Sequence, residues 1–132
     1  MVTLYAPMLV MVLAVVEVMV LGVLVGRGRA KYDVPAPATS GHPTWERLNR
    51  AHQNSIEQLV LFVPLFFAYC FNAGLQTGLF LGVVYLIARI LYAAGYVRDP
   101  SRRRIGAFLT FGVLTWLAVG AVLGLVLKIA RS

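Results

Sequence analysis

The stretch ERLNRAHQNSIEQLVLFVPLFF, residues 46–67, opens crowded with charges and amides and closes as almost pure hydrocarbon. Its apolar part alone falls short of a bilayer crossing, because a hydrocarbon core of ~30 Å needs ~20 helical residues at 1.5 Å rise. Taken as one helix whose first turns are the polar part, the segment is long enough. The rest of the chain must decide between the two.

The 132 residues are 60% hydrophobic and 13% charged, about half the charged fraction of an ordinary soluble domain (~25%), and mean hydropathy is +0.80. Apolar runs occupy about Leu4–Val25, Ile56–Phe71, Leu75–Val97 and Ile105–Leu127. With the polar extension, the second becomes a helix over about 45–71. The expected fold is an all-α, integral membrane four-helix bundle, one domain over 1–132, with spans near 4–25, 45–71, 75–97 and 105–127. The first run has no basic residues before it and exceeds the ~7–15 residues of a leader's apolar core, so it reads as a span. Cys70, the only cysteine, excludes an intramolecular disulfide. There is no phosphate-binding glycine loop, metal-spaced His/Cys cluster or nucleophilic triad, so no metal is expected; nor is a nucleic-acid partner.

The net charge of +7 is concentrated. Arg27, Arg29, Lys31, Arg47 and Arg50 stand between spans one and two, and Arg98, Arg102, Arg103 and Arg104 between three and four. The positive-inside rule places both segments in the cytoplasm and both termini outside it. Only Lys128 and Arg131 fall on the other side. The connection GRGRAKYDVPAPATSGHPTW, with Pro35, Pro37 and Pro43, reads as an ordered or semi-extended loop. Thr44 is expected to cap the second helix, Trp45 to anchor at the interface and Pro64 to kink the span. His42 reads as a simple loop histidine.

Glu46, Arg50, Asn54 (or Gln53) and Glu57 follow at spacings of four, four and three, one face of a helix. Glu46 and Arg47 suit a solvated first turn. Glu57 does not, because hydrocarbon begins directly after it; a carboxylate there needs a cation or donor, and a buried functional face is expected. Arg89, Tyr92 and Tyr96 share a face of helix three. A structural Arg89–Glu57 ion pair and an aromatic belt of tyrosines are the plainer alternatives. RDPSRRR, residues 98–104, supplies further guanidinium groups, some of them expected to serve lipid headgroups. A pocket of arginines facing one Glu and one Asn suits a small anion bearing carboxylates and an amine. Glu17, in mid-span, is by default a proton or cation site, or a carboxyl at a subunit seam. His52 points away from the main face, toward headgroups or a neighbouring subunit.

The run E-R-x-x-R-A-[HQ]-x-N-x-x-E entering helix two, Arg89–Tyr92–Tyr96 followed by the basic loop, and the Pro-rich first loop together resemble the MAPEG family, membrane-associated proteins of eicosanoid and glutathione metabolism. It includes microsomal glutathione transferases and leukotriene and prostaglandin synthases, and the resemblance covers nearly the whole chain. It implies a homotrimer in the lipid bilayer, with glutathione as co-substrate bound between subunits near the cytoplasmic face. It further implies that Arg50, Asn54 and Glu57 contact glutathione, that Arg29 reaches it from the end of helix one, and that His52 comes from the neighbouring subunit. Arg89, Tyr92 and Tyr96 complete the binding set, and Arg103, with Arg104 as rival, stabilises the thiolate. Gln58, where some members carry Tyr, and Asp99–Pro100 in the basic loop are departures. The implied activity is glutathione transfer to lipophilic electrophiles or reduction of lipid hydroperoxides. The competing readings are a small proton-coupled multidrug transporter using Glu17, and a non-catalytic lipid- or glutathione-binding scaffold of the same family.

Overall fold

The computed structural model describes residues 2–132. Four helices, α1 (Val2–Tyr32), α2 (Pro43–Asn72), α3 (Leu75–Arg98) and α4 (Arg103–Arg131), follow in order, with a 3-10 turn at Pro100–Arg102 before the last. Each is long and apolar enough to cross a membrane. The protein is an all-α, multi-pass integral membrane bundle. Its outer surface carries large apolar side chains such as Val60, Phe80, Phe108 and Phe111, which water would not tolerate and lipid does. Inside, the Phe62 and Tyr85 rings stack with centroids 3.7 Å apart, in one buried cluster with Phe66 and Leu117.

The opening segment is one helix. α2 starts at Pro43 and runs unbroken across Pro64 to Asn72, so its polar turns are part of the span. The N-cap is His42 rather than Thr44: its Nδ1 accepts from the Thr44 N–H at 3.2 Å, with Pro43 at the first helical position. The His42 ring also packs on Tyr32, with centroids 4.4 Å apart, so it is more than a loop residue. Glu46 accepts from the Gly41 N–H at 3.0 Å. Trp45 is no interfacial anchor. It is completely buried, and its indole N–H donates to the Val25 carbonyl at 3.1 Å, tying α2 to α1.

The first loop is shorter than its composition implies, because α1 continues seven residues past Val25. Arg, Lys and Ala are good helix formers, and each glycine costs only about 1 kcal/mol, so the helix persists until prolines approach. Asp33 then takes a left-handed conformation (φ 54°), and the Val34 N–H closes back on the Arg29 carbonyl at 2.9 Å. Val34 is buried with Val25 and Trp45.

Several basic residues satisfy carbonyls that helix ends leave without partners. Arg47, expected in a solvated turn, donates through Nε to Val97 at 3.1 Å near the end of α3. Lys128, which falls on the face with few cations, donates to Phe71 at 3.1 Å and to Asn72 Oδ1 at 3.0 Å at the end of α2.

α3 and α4 cross at Gly106. A Cβ there would lie 2.5 Å from the Tyr92 backbone nitrogen and 2.7 Å from the Ala88 carbonyl oxygen. Backbone meeting backbone has no flexible side chain to give way. Gly106→Ala should lower stability by about 1–3 kcal/mol, the usual cost of overpacking. Thermal unfolding in detergent measures this, and an unchanged midpoint would show that the crossing is looser than described.

Candidate functional site

A cleft of about 290 Å³ opens between α2, α3 and α4 near the basic loops. α2 contributes Asn54 and Gln58, α3 contributes Arg89 and Tyr92, and α4 contributes Arg103 at its first residue, with Ala107, Thr110 and Phe111 along its wall. The helical spacing of Arg89 and Tyr92 puts both on the inward face of α3, where they are buried.

Arg89 is 4% exposed. One of its terminal nitrogens donates to Asn54 Oδ1 at 2.8 Å and to Ser55 Oγ at 2.9 Å. Its carbon centre stands 4.4 Å from the Tyr92 ring centroid. Nε is buried with no acceptor. A buried guanidinium needs acceptors and a polarisable face, and α2 and the Tyr92 ring provide them. Glu57 does not: the alternative of a structural Arg89–Glu57 ion pair is not met among the described residues, where Glu57 pairs with Arg50 instead. Arg103 lies over the Tyr96 ring at 5.2 Å, and the Tyr92 and Tyr96 ring centroids are 5.8 Å apart. The guanidinium of Arg103 therefore sits at the cleft, held against an aromatic pair. Arg103 and Arg104 are both exposed, and of the two only Arg103 lines the cleft.

The polar face of α2 splits. Asn54 turns inward to Arg89, but Arg50 and Glu57 are not buried. They pair with each other at 3.3 Å, with side chains 51% and 56% exposed on the surface of the single chain. A helix gives each residue 100° of rotation, so one polar stripe can wrap from the bundle interior onto its flank. Arg29 and His52 also lie outside the cleft lining. The Arg29 guanidinium donates to the carbonyls of Val34 at 3.3 Å and Ala38 at 2.8 Å and rests 4.5 Å from the Trp45 ring centroid. His52 packs on α1, its Nε2 3.3 Å from where a Cβ on Gly22 would stand; within one chain it meets α1 rather than headgroups. Glu17 lines a separate recess between α1 and α3.

In the basic loop, Asp99 caps the 3-10 turn by accepting the Ser101 N–H at 2.9 Å. Hydrogen bonds from the Ser101 backbone, then its side chain, hold the Asp99 carboxyl below the ordinary carboxylate range. The charged Asp99 thus shapes the turn that delivers Arg103.

Ser55, Thr110 and Phe111 carry no conspicuous motif. Ser55 had one signal: a small buried hydroxyl, one residue beyond Asn54 and within reach of an arginine seeking acceptors. The lining from α4 depends wholly on the crossing at Gly106.

Four membrane-spanning helices, with a cationic, aromatic-backed cleft near the end that carries the basic loops, define a polytopic membrane protein. The model of the MAPEG family matches residues 7–123, and the chain belongs to that family. It is 37% identical over 125 residues to an uncharacterised protein of Synechocystis sp., an alignment spanning 95% of this chain and 91% of that one. Identity to microsomal glutathione S-transferase 2 of Mus musculus is 39% over 104 residues, 76% of this chain and 68% of the relative. To leukotriene C4 synthase of Bos taurus it is 35% over 101 residues, 74% and 65% respectively.

Ser55→Ala removes one of two acceptors from a buried cation and should cost about 1–3 kcal/mol, the penalty for an unmet buried polar group. Chemical unfolding in mixed micelles reads the loss, and a neutral result would mean that Asn54 alone suffices.

Proposed function

We propose that this chain is a membrane glutathione transferase, working as a homotrimer whose protomers are single membrane domains spanning 1–132. The observation that carries this reading is the gathering of Asn54, Arg89, Tyr92 and Arg103 around one cleft, in a chain 39% identical to a relative named for glutathione transfer. Glutathione offers two carboxylates, an amine and a thiol. Arg50 is the cation for a carboxylate, which guanidinium groups bind bidentately, Glu57 the partner for the amine, and Asn54 a donor or acceptor for either.

The exposed Arg50–Glu57 pair supports a trimer. Ionisable side chains on membrane helices rarely face lipid, so this flank of α2 is suited to be covered by a neighbouring protomer. For Arg29 and His52 to reach the site of the next chain, they would exchange their contacts to Val34, Ala38 and Trp45 and to α1 for that site. The basic loops would face the cytoplasm, with both termini on the other side. Single cysteines introduced into the first loop and at the C-terminus, in a Cys70→Ser background, should label from opposite sides of sealed vesicles; labelling from one side would reverse or dismantle the topology.

The chemistry needs a thiolate. A free thiol of pKa about 8.5 is mostly protonated at neutral pH, and a neighbouring cation shifts it toward the anion. Arg103 lines the cleft but is exposed on the single chain; it would hold that anion, and cover by a neighbouring protomer would lower the local dielectric and strengthen the attraction. The thiolate then attacks an electrophilic carbon of a lipophilic acceptor arriving from the bilayer. With a chloroarene, the S–C bond forms as chloride leaves with the C–Cl bonding pair. Tyr92 and Tyr96 position the arginine and close the cleft against water. Peroxide reduction by the same thiolate is a second use of the site.

Arg103→Ala should lower kcat for a chloroarene by about 100-fold or more, the usual size of a lost anion stabiliser, with glutathione affinity changed much less. Arg104→Ala should stay near wild type. Stopped-flow absorbance on mixing with glutathione should show a thiolate signal in wild type and none in Arg103→Ala. Binding without any thiolate in the wild type would leave a non-catalytic scaffold. Absence of binding, together with proton-coupled efflux lost in Glu17→Gln, would establish a transporter instead.

A further inference from the structure

A second recess, about 1020 Å³, runs between α1 and α3 with α2 behind it. Its walls are aliphatic, from Val20 and Leu24 on α1 to Leu86 and Ile90 on α3. At the end with the basic loops the walls give way to Arg27 and Lys31 on α1 and Arg98 on α3. All three are exposed. The one ion pair among the described residues joins Arg50 to Glu57, so none of these three cations is held in an ion pair with a carboxylate of the chain. Arg27 and Lys31 stand one turn apart on the same face of α1.

Depth identifies the occupant. From Arg27 to Glu17 is ten helical residues, about 15 Å at 1.5 Å each, which is half the ~30 Å hydrocarbon core. The recess is therefore mainly aliphatic through one leaflet, with Glu17, Ser55 and Arg89 the polar groups in its lining away from the rim, and cationic where that leaflet's headgroups lie. A soluble anion would use the three cations and leave the aliphatic walls bare. A zwitterionic lipid would bring a cation of its own to a rim that already holds three.

We propose that the α1–α3 recess binds an anionic phospholipid from the leaflet on the basic-loop side. Its phosphate sits among Arg27, Lys31 and Arg98, and an acyl chain lies between α1 and α3. Basic recesses between transmembrane helices suit such headgroups, because the lipid supplies charge and hydrocarbon together. The site is distinct from the α2–α3–α4 cleft. Arg89 alone lines both recesses.

The test uses the full chain in phosphatidylcholine nanodiscs containing a trace of phosphatidylglycerol spin-labelled on its acyl chain, with labelled phosphatidylcholine as reference. Electron paramagnetic resonance should show a motionally restricted population favouring phosphatidylglycerol several-fold. The preference should vanish in the triple variant Arg27→Gln, Lys31→Gln, Arg98→Gln and persist when Arg27 and Arg98 become lysine. Ala94→Trp, at an exposed position lining the recess, should abolish it with all three cations in place. Equal restriction of both lipids would overturn the proposal. So would selectivity that survives Ala94→Trp, since the headgroup patch would then act without the recess, or equal competition by soluble glycerol phosphate. Circular dichroism and gel filtration confirm that each variant is folded. Thiolate formation is read on the same discs, so the lipid site and the transferase reading can fail separately.

Discussion

A single buried cation organises the middle of this protein. Arg89 sits in an apolar span where an unpartnered guanidinium would be prohibitive. Asn54 and Ser55 of α2 and the ring of Tyr92 surround it. Satisfying that cation requires α2 and α3 to meet in one register, and the register turns Asn54 into the bundle and leaves Arg50 and Glu57 on its flank. The polar start of α2 is thus the counterpart that the arginine on α3 demands, and it extends the helix far enough to span.

The second constraint is the contact of α3 with α4 at Gly106. Only a residue without a side chain lets the α4 backbone approach Tyr92 this closely. That approach sets Arg103, at the start of α4, beside Tyr96 and at the mouth of the cleft. The short connection, with Asp99 capping its 3-10 turn, allows little slack. An arginine one position later, Arg104, is rotated by about 100° and leaves the cleft. Basic residues elsewhere are equally specific: Arg47 and Lys128, on opposite sides of the bundle, close the ends of neighbouring helices.

Much of this was legible in the chain. Four apolar runs and two basic connections required a four-span bundle, because hydrocarbon thickness fixes helix length and charge is excluded from it. The linked residues of α2 and α3 pointed to the family. Helix ends were less legible. α1 outlasted its apolar run because helix propensity continues into Arg–Ala–Lys, and the true caps, His42 and Asp33, depend on local hydrogen bonds and a left-handed turn. Trp45, which resembles an interfacial anchor by position, is buried because its indole finds a carbonyl on α1.

The sequence by itself determined how many times the chain crosses the membrane, which segments share a side and which residues could carry charge near the membrane's edge. Length and hydropathy are local properties, and each run states its own. Only the tertiary structure decided which of those charges converge. Periodicity assigns residues to a face of a helix but not that face to a neighbour. The separation of Asn54 from Arg50 and Glu57, and of Arg103 from Arg104, arose from the rotation of each helix about its axis. Packing at Arg89 and Gly106 sets that rotation.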